Sequence, residues 1–172
     1  NETDFFPVVT PDGNTLFYIQ RTPKSNVIWR QSLTDRTREM ATQPRKLTPG
    51  RFLSISSDGA YLLFDDVSDD KKNDGSIAVI FDVTTKEAKI VTLGSPNVRA
   101  SFAPDGRFLD YFENRPESAR FWRQPLDGKR ERKLLFELPR SRIEDFDWSR
   151  DGKTLAIARG RQENDAMLLT GF

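Results

Sequence analysis

The stretch "SFAPDGRFLDYF", Ser101 to Phe112, decides how this chain is read. Asp105-Gly106 sits between two runs rich in apolar and aromatic residues. Taken alone, Asp105 is a candidate carboxylate for chemistry. The rest of the chain shows that it is one of a series. Asp-Gly pairs recur at Asp12-Gly13, Asp58-Gly59, Asp105-Gly106 and Asp151-Gly152, at intervals of 46, 47 and 46 residues. Three residues after each glycine come Leu16, Leu62, Leu109 and Leu155, and five after come Tyr18, Phe64, Tyr111 and Ile157. Three before each aspartate come Val9, Ile55, Phe102 and Trp148. Apolar residues at alternate positions after a turn signal predict a half-buried strand. Each copy therefore reads strand, turn, strand, with Asp-Gly supplying residues that tolerate positive φ.

The copies extend further. "NVIWRQSL" (Asn26 to Leu33) matches "ARFWRQPL" (Ala119 to Leu126), with Trp29 and Trp122 separated by 93 residues, two repeats. "SIAVIFDV" (Ser76 to Val83) and "DAMLLTGF" (Asp165 to Phe172) fill the same third-strand slot. A fourth strand is expected at "RKLT" (Arg45 to Thr48), "KIVTL" (Lys89 to Leu93) and "KLLFEL" (Lys133 to Leu138). The polar stretch from Thr34 to Gln43 reads as a long loop between third and fourth strands. Four short antiparallel strands in each ~40–50 residues make a β-propeller blade. The expected fold is an all-β propeller of about four such blades, spanning 5–49, 50–94, 95–141 and 142–172, the last without its fourth strand.

"TPDGNTLFYI", "APDGRFLDYF" and "SRDGKTLAIA" resemble the WD40-like, TolB-type propeller repeat, which carries Ser-Pro-Asp-Gly before an alternating strand. Ser57 and Arg150 depart from it where proline is usual. The tail "LAIARGRQENDAMLLTGF" is similar to the end of propellers fused to bacterial winged-helix regulators or Ser/Thr kinases. TolB-type propellers commonly have six or more blades. The resemblance therefore implies the C-terminal part of a larger propeller, whose open edges would favour self-association. A closed four-bladed ring is the alternative. The chain starts at Asn1 and shows no signal peptide. Bacterial cytoplasm and periplasm both stay open, because targeting information would lie elsewhere in the parent protein.

Composition narrows the chemistry. The 172 residues include 27 basic and 26 acidic side chains, a net charge of +1, without the basic excess usual for nucleic-acid binding. There is no histidine and no cysteine. Ser-His-Asp and Cys-His catalysis are thereby excluded within this chain, as are thiolate zinc sites. Apolar residues make up 36%, enough for a core, but no run approaches the ~20 residues that span a bilayer.

The four Asp-Gly aspartates read as turn formers, since four equivalent copies cannot all be one active site. "DDVSDDKKNDGS" (Asp65 to Ser76) is the most acidic stretch. As a calcium loop it fails, because Lys72 stands between Asp70 and Asp74 where an oxygen ligand is needed. Asp69, Asp70 and Asp74 are instead candidates for a partner contact, on a loop longer than its counterparts. Trp29-Arg30 and Trp122-Arg123 are the other candidates, since Trp and Arg are enriched at binding hot spots. The competing reading packs each Trp between blades with its Arg at the surface. Glu113, Glu117, Asp145 and Asp147 show no convincing pairing. The sequence thus points to a module without catalytic residues, cofactor or metal. It would bind a protein, peptide or small ligand within a bacterial regulator. An accessory propeller of a prolyl-oligopeptidase-like peptidase, or a periplasmic TolB-like scaffold, is the rival.

Overall fold

The computed structural model describes residues 3–21, 25–43, 52–66, 76–93, 99–126, 131–149 and 151–160. Among them every regular element is a strand. The first sheet holds β1 (Thr3–Val9), β2 (Thr15–Arg21), β3 (Asn26–Ser32) and β4 (Arg38–Met40) in chain order. The second holds β5 (Leu53–Ile55), β6 (Tyr61–Asp66), β7 (Ser76–Asp82) and β8 (Ala88–Leu93). The third holds β9 (Ala100–Phe102), β10 (Phe108–Asn114), β11 (Ser118–Pro125) and β12 (Lys133–Pro139). In the fourth, β13 (Arg142–Trp148) pairs with β14 (Leu155–Gly160). All neighbours within a sheet are antiparallel, as tight connections require. The first strands of successive sheets lie side by side, β1 by β5 and β5 by β9. These are propeller blades, with their first strands innermost.

The repeat seen in sequence is a shared register. Val9 pairs with Leu16, Ile55 with Leu62, Phe102 with Leu109 and Trp148 with Leu155. Loops of five residues, six in the fourth sheet, join the first two strands of each sheet. In each, the glycine N–H donates three residues back, Gly106 to the Ala103 carbonyl at 2.9 Å and Gly152 to that of Ser149 at 2.8 Å. The reason for Asp-Gly differs from the expectation. Only the glycine is left-handed, with φ between 65° and 75° in the four copies. The aspartate is there for its carboxylate, which accepts the backbone N–H two residues on: Asn14, Ala60, Arg107 and Lys153, each at 3.0–3.1 Å.

Burial on both faces explains the near-continuous apolar runs of the middle sheets. Phe17, Ile19 and Ile28 of the first sheet pack against Leu62, Phe64, Val79 and Phe81 of the second. The other face of the second sheet, with Leu63, Ala78, Ile80 and Leu93, meets Ala100, Phe102, Leu109 and Tyr111. Phe112, Ala119 and Phe121 then close on Ile143 and Phe146, where the Phe121 and Phe146 rings meet edge to face at 4.8 Å.

One strand lies where a loop was expected. β4 falls inside Thr34 to Gln43, paired to β3 through Trp29 to Met40, Arg30 to Glu39 and Gln31 to Arg38. Its three side chains are all exposed, so it has no apolar alternation to reveal it. The turn before it is closed by Ser32 N–H to the Thr37 carbonyl, with Arg36 at φ 62°. Residues 45–48 and 165–172, expected as strands, lie outside the described residues.

Candidate functional site

Three features could do work: the inner channel, the ring of turns and the two Trp-Arg-Gln copies. The channel is formed by the innermost strands. A cavity of about 500 Å³ is lined by Val8 of β1, Ser54 of β5, Ser101 of β9 and Asp147 of β13, among others. Its wall is both polar and apolar. The Ser54 and Ser101 hydroxyls lie 3.0 Å apart, and Arg99 pairs with Asp145 at 2.6 Å beside Phe146 and Trp148. Ser54 and Ser101 sit at the same place in consecutive copies, 47 residues apart.

The turns touch from blade to blade. A methyl built on Gly59 would lie 3.3 Å from Pro11 Cδ, and one on Gly152 would lie 2.7 Å from Pro104 Cβ. On Gly106 it would lie 3.8 Å from Ser57 Oγ. The residue before each aspartate thus packs on the next blade's glycine. Three turn carboxylates also accept a hydroxyl: Asp12 from Thr10 at 2.5 Å, Asp58 from Ser56 and Asp151 from Ser149 at 2.6 Å. Those hydroxyls, followed by the backbone N–H donors, hold all three carboxyls below the usual aspartate range. Asp35, bonded first by the Thr37 N–H and then by its hydroxyl, is lowered from 3.8 to about 2. Folded pKa values below the unfolded one mean stability that is fully present above the unfolded pKa and lost as pH falls through the folded one. Stability should therefore decline between pH 4 and pH 2, as read by urea unfolding across that range, with the decline largely over by the value of about 2 reached by Asp35.

The two Trp-Arg-Gln copies occupy matching register positions and do different things. Trp122 lies opposite Tyr111 and is half-buried against the core between the second and third sheets. Its Nε1–H donates to Glu113 Oε2 at 3.1 Å, and Arg132 stacks on its ring at 4.2 Å. Arg123 makes a bidentate pair with Asp110, both bonds 2.7 Å, and Asp110 is 0% exposed. Hydrogen bonding to Asp110 raises the Arg123 pKa above its already high value. Trp148 of the next sheet donates Nε1–H to the same carboxylate at 3.0 Å. Arg123 is thus drawn inward, into a joint between blades, away from the surface position that its sequence suggested.

In the first copy the partners differ. The residue opposite Arg30 is Phe17, where Asp110 stands opposite Arg123. Arg30 therefore turns to Glu39 at 3.0 Å on the exposed side. The place of Glu113 is taken by Gln20, whose amide donates to Asp4 at 3.2 Å. Trp29 Nε1 is left buried without an acceptor among the described residues, under Arg38 at 4.6 Å from its ring. An unsatisfied buried donor costs about 1–3 kcal/mol. Trp29→Phe removes that donor and is expected to change stability by less than about 1 kcal/mol, the lost ring area offsetting the gain. Trp122→Phe strips a donor from the buried Glu113 and should cost about 1–3 kcal/mol by the same principle. Chemical denaturation of the two variants side by side checks the contrast.

Asp69, Asp70 and Asp74 lie outside the described residues. Asp110 and Trp148 were missed as a site, although the register carried the signal: once Tyr111 faces Trp122, Asp110 must face Arg123. Glu113, Asp145 and Asp147 are dispersed, Glu113 to Trp122 and Arg115, Asp145 to Arg99, and Asp147 to the channel wall. Among the described residues no three acidic side chains gather closely enough to hold a metal ion.

No protein-family model matches the sequence, and no curated protein does. Solved structures do. TolB from Acinetobacter baumannii matches with a TM-score of 0.78 at 25% identity, over 95% of this chain and 39% of its own. A prolyl endopeptidase structure matches at 0.66 and 16% identity, over 93% of this chain and 26% of its own. A chain of the nidogen/laminin complex matches at 0.67 and 12% identity, over 91% and 56%. The chain therefore spans well under half the length of the TolB and endopeptidase structures. It is a run of β-propeller blades, similar in architecture to those of TolB and of the prolyl endopeptidases.

Proposed function

We propose that this chain is a non-catalytic interaction module that takes a protein segment, peptide or small ligand at its inner channel. The observation that carries this reading is the cavity of about 500 Å³, to which the innermost strands of all four sheets contribute. A concave site with apolar walls and a few placed polar groups is the usual form of a binding site. Here the polar groups include the Ser54 and Ser101 hydroxyls, the Asp147 carboxylate and the Arg99 guanidinium, which is paired to Asp145. Asp12, Asp58, Asp105 and Asp151 are engaged in turns and Asp110 and Arg123 in a joint between blades, and the sequence has no histidine to act as a base near neutrality. The resemblance of the repeats and the tail supports a place in the C-terminal part of a larger bacterial regulatory protein, with blades near 5–49, 50–94, 95–141 and 142–172.

Panning a random peptide library against the wild-type chain and against Ser101→Trp tests the reading. Peptides enriched on the wild type should bind the variant at least tenfold more weakly, at unchanged melting temperature. Enriched peptides that bind both forms equally would place recognition away from the channel and defeat it. The match to a prolyl endopeptidase structure keeps one rival in view, an accessory domain of a peptidase. Peptide hydrolysis by the full-length parent protein would favour that rival.

A further inference from the structure

The junction between the first two sheets, at the turn end, is open where the junction between the third and fourth is filled. In the latter, the Arg123 guanidinium sits on Asp110, 5.4 Å from the Phe108 ring centre and 5.6 Å from that of Trp148. The corresponding residues two repeats earlier are Phe17 for Asp110 and Ile55 for Trp148. With no carboxylate opposite it, Arg30 is held aside by Glu39. What remains is a cleft of about 290 Å³ whose lining includes Phe17, Pro11 and Val83, with Asp12, Asp58 and Arg30 also on it.

The two carboxylates are not equivalent. Asp12 spends Oδ1 on Thr10 and Asn14 N–H and Oδ2 on the Asn14 amide. Asp58 spends Oδ1 on Ser56 and on Ala60 N–H, and its Oδ2 has no donor among the described residues. The third turn shows what such an oxygen accepts. There Arg107, at the position of Ala60, brings its guanidinium to Asp105 Oδ2 at 3.3–3.4 Å. Thus a guanidinium sits on a turn carboxylate in the third copy and in the blade junction between the third and fourth sheets, and neither position is filled in this way at the open cleft.

We propose that the cleft between the first and second sheets binds a basic side chain, arginine or lysine, of a protein partner, its charge on Asp58 and its aliphatic stem along Phe17, Pro11 and Val83. This goes beyond the channel, since Asp58, Phe17, Pro11 and Val83 do not line that cavity. Asp58 is ionised at neutral pH, because the Ser56 hydroxyl and then the Ala60 N–H lower its pKa. The stem gains from covering an apolar floor, as long basic side chains do. Arg30 opposes entry only weakly while Glu39 neutralises it.

Titrating the ¹⁵N-labelled chain with a capped Gly-Arg-Gly peptide tests this. Saturable shifts are expected at the amides of Gly13, Asp58, Gly59 and Val83, and none with capped Gly-Gln-Gly. Asp58→Asn keeps the turn acceptor and should weaken binding at least fivefold. Ala60→Arg, which supplies Asp58 with an internal guanidinium, should do the same, and Arg30→Ala should tighten binding. Equal shifts with the glutamine peptide, or unchanged affinity in Asp58→Asn and Ala60→Arg, would overturn the proposal. So would weakening in Arg30→Ala, because the cleft would then be holding an acidic group on Arg30.

Discussion

Asp110→Ala is expected to cost about 3–5 kcal/mol, the usual penalty for removing one partner of a buried ion pair. The carboxylate is wholly buried and accepts from both Arg123 nitrogens and from Trp148 Nε1. Its loss leaves a three-quarters-buried guanidinium, whose side chain is 26% exposed, without a counter-charge. It also frees an indole N–H from a different sheet. The effect should therefore appear as separation of the third and fourth sheets, with early hydrogen exchange in β13 and β14. Asp110→Asn keeps one acceptor and should lose less. The double variant Asp110→Ala, Arg123→Met should recover part of the loss, since it leaves no buried charge unpaired. Equilibrium urea unfolding of the four proteins measures all three terms. A loss below about 1 kcal/mol for Asp110→Ala would mean that water enters the joint and that the pair contributes as a surface pair does.

Gly152→Ala should be nearly as damaging, and the other three turn glycines supply the controls. All four are left-handed, so an alanine at any of them pays about 1–2 kcal/mol in backbone strain. At Gly13 nothing among the described residues lies within 4 Å of the new methyl, and that cost should be the whole effect. At Gly106 the nearest atom is 3.8 Å away, an ordinary contact. At Gly59 a contact of 3.3 Å asks the Pro11 ring to yield slightly. At Gly152 the methyl would stand 2.7 Å from Pro104 Cβ, so the third and fourth turns must part. Overpacking of that kind adds about 1–3 kcal/mol. The expected order of destabilisation is Gly152, Gly59, then Gly106 and Gly13 together. Melting temperatures of the four variants would show it, at about 2–4 °C per kcal/mol for a chain of this size. Equal losses at all four positions would mean that backbone conformation alone matters.

The fold was legible because four copies repeat a register. Leu109 and its equivalents are apolar for the same reason, since each faces the preceding blade or that end of the chain. The strand alternation therefore appears four times over. β4 was not legible, because Arg38, Glu39 and Met40 are exposed and make their case through Trp29 and Arg30, residues of another strand. The candidate residues were half legible. Trp122 and Arg123 stood out by type, but their partners Glu113, Asp110 and Trp148 lie on other strands and are named only once register is known. The reverse holds for Arg30. It looks identical to Arg123 in sequence, and only Phe17 across the hairpin shows why it behaves differently. A propeller implies a central channel, but its lining could not be read, because Ser54 and Ser101 are ordinary residues and Asp147 a carboxylate with no evident pairing in sequence, and their meaning comes from the convergence of separate sheets.

The contacts between turns have a direction. Pro11 bears on Gly59, Ser57 on Gly106 and Pro104 on Gly152, never the other way within these pairs. Each copy therefore sets a condition that the following copy must meet. A change at one such position is felt about one repeat later in the chain, not in its own hairpin. Across descendants of this sequence, a turn should lose its glycine most easily where the blade before it has already lost its proline. The repeats are then less like interchangeable tiles than like links, each shaped by its predecessor.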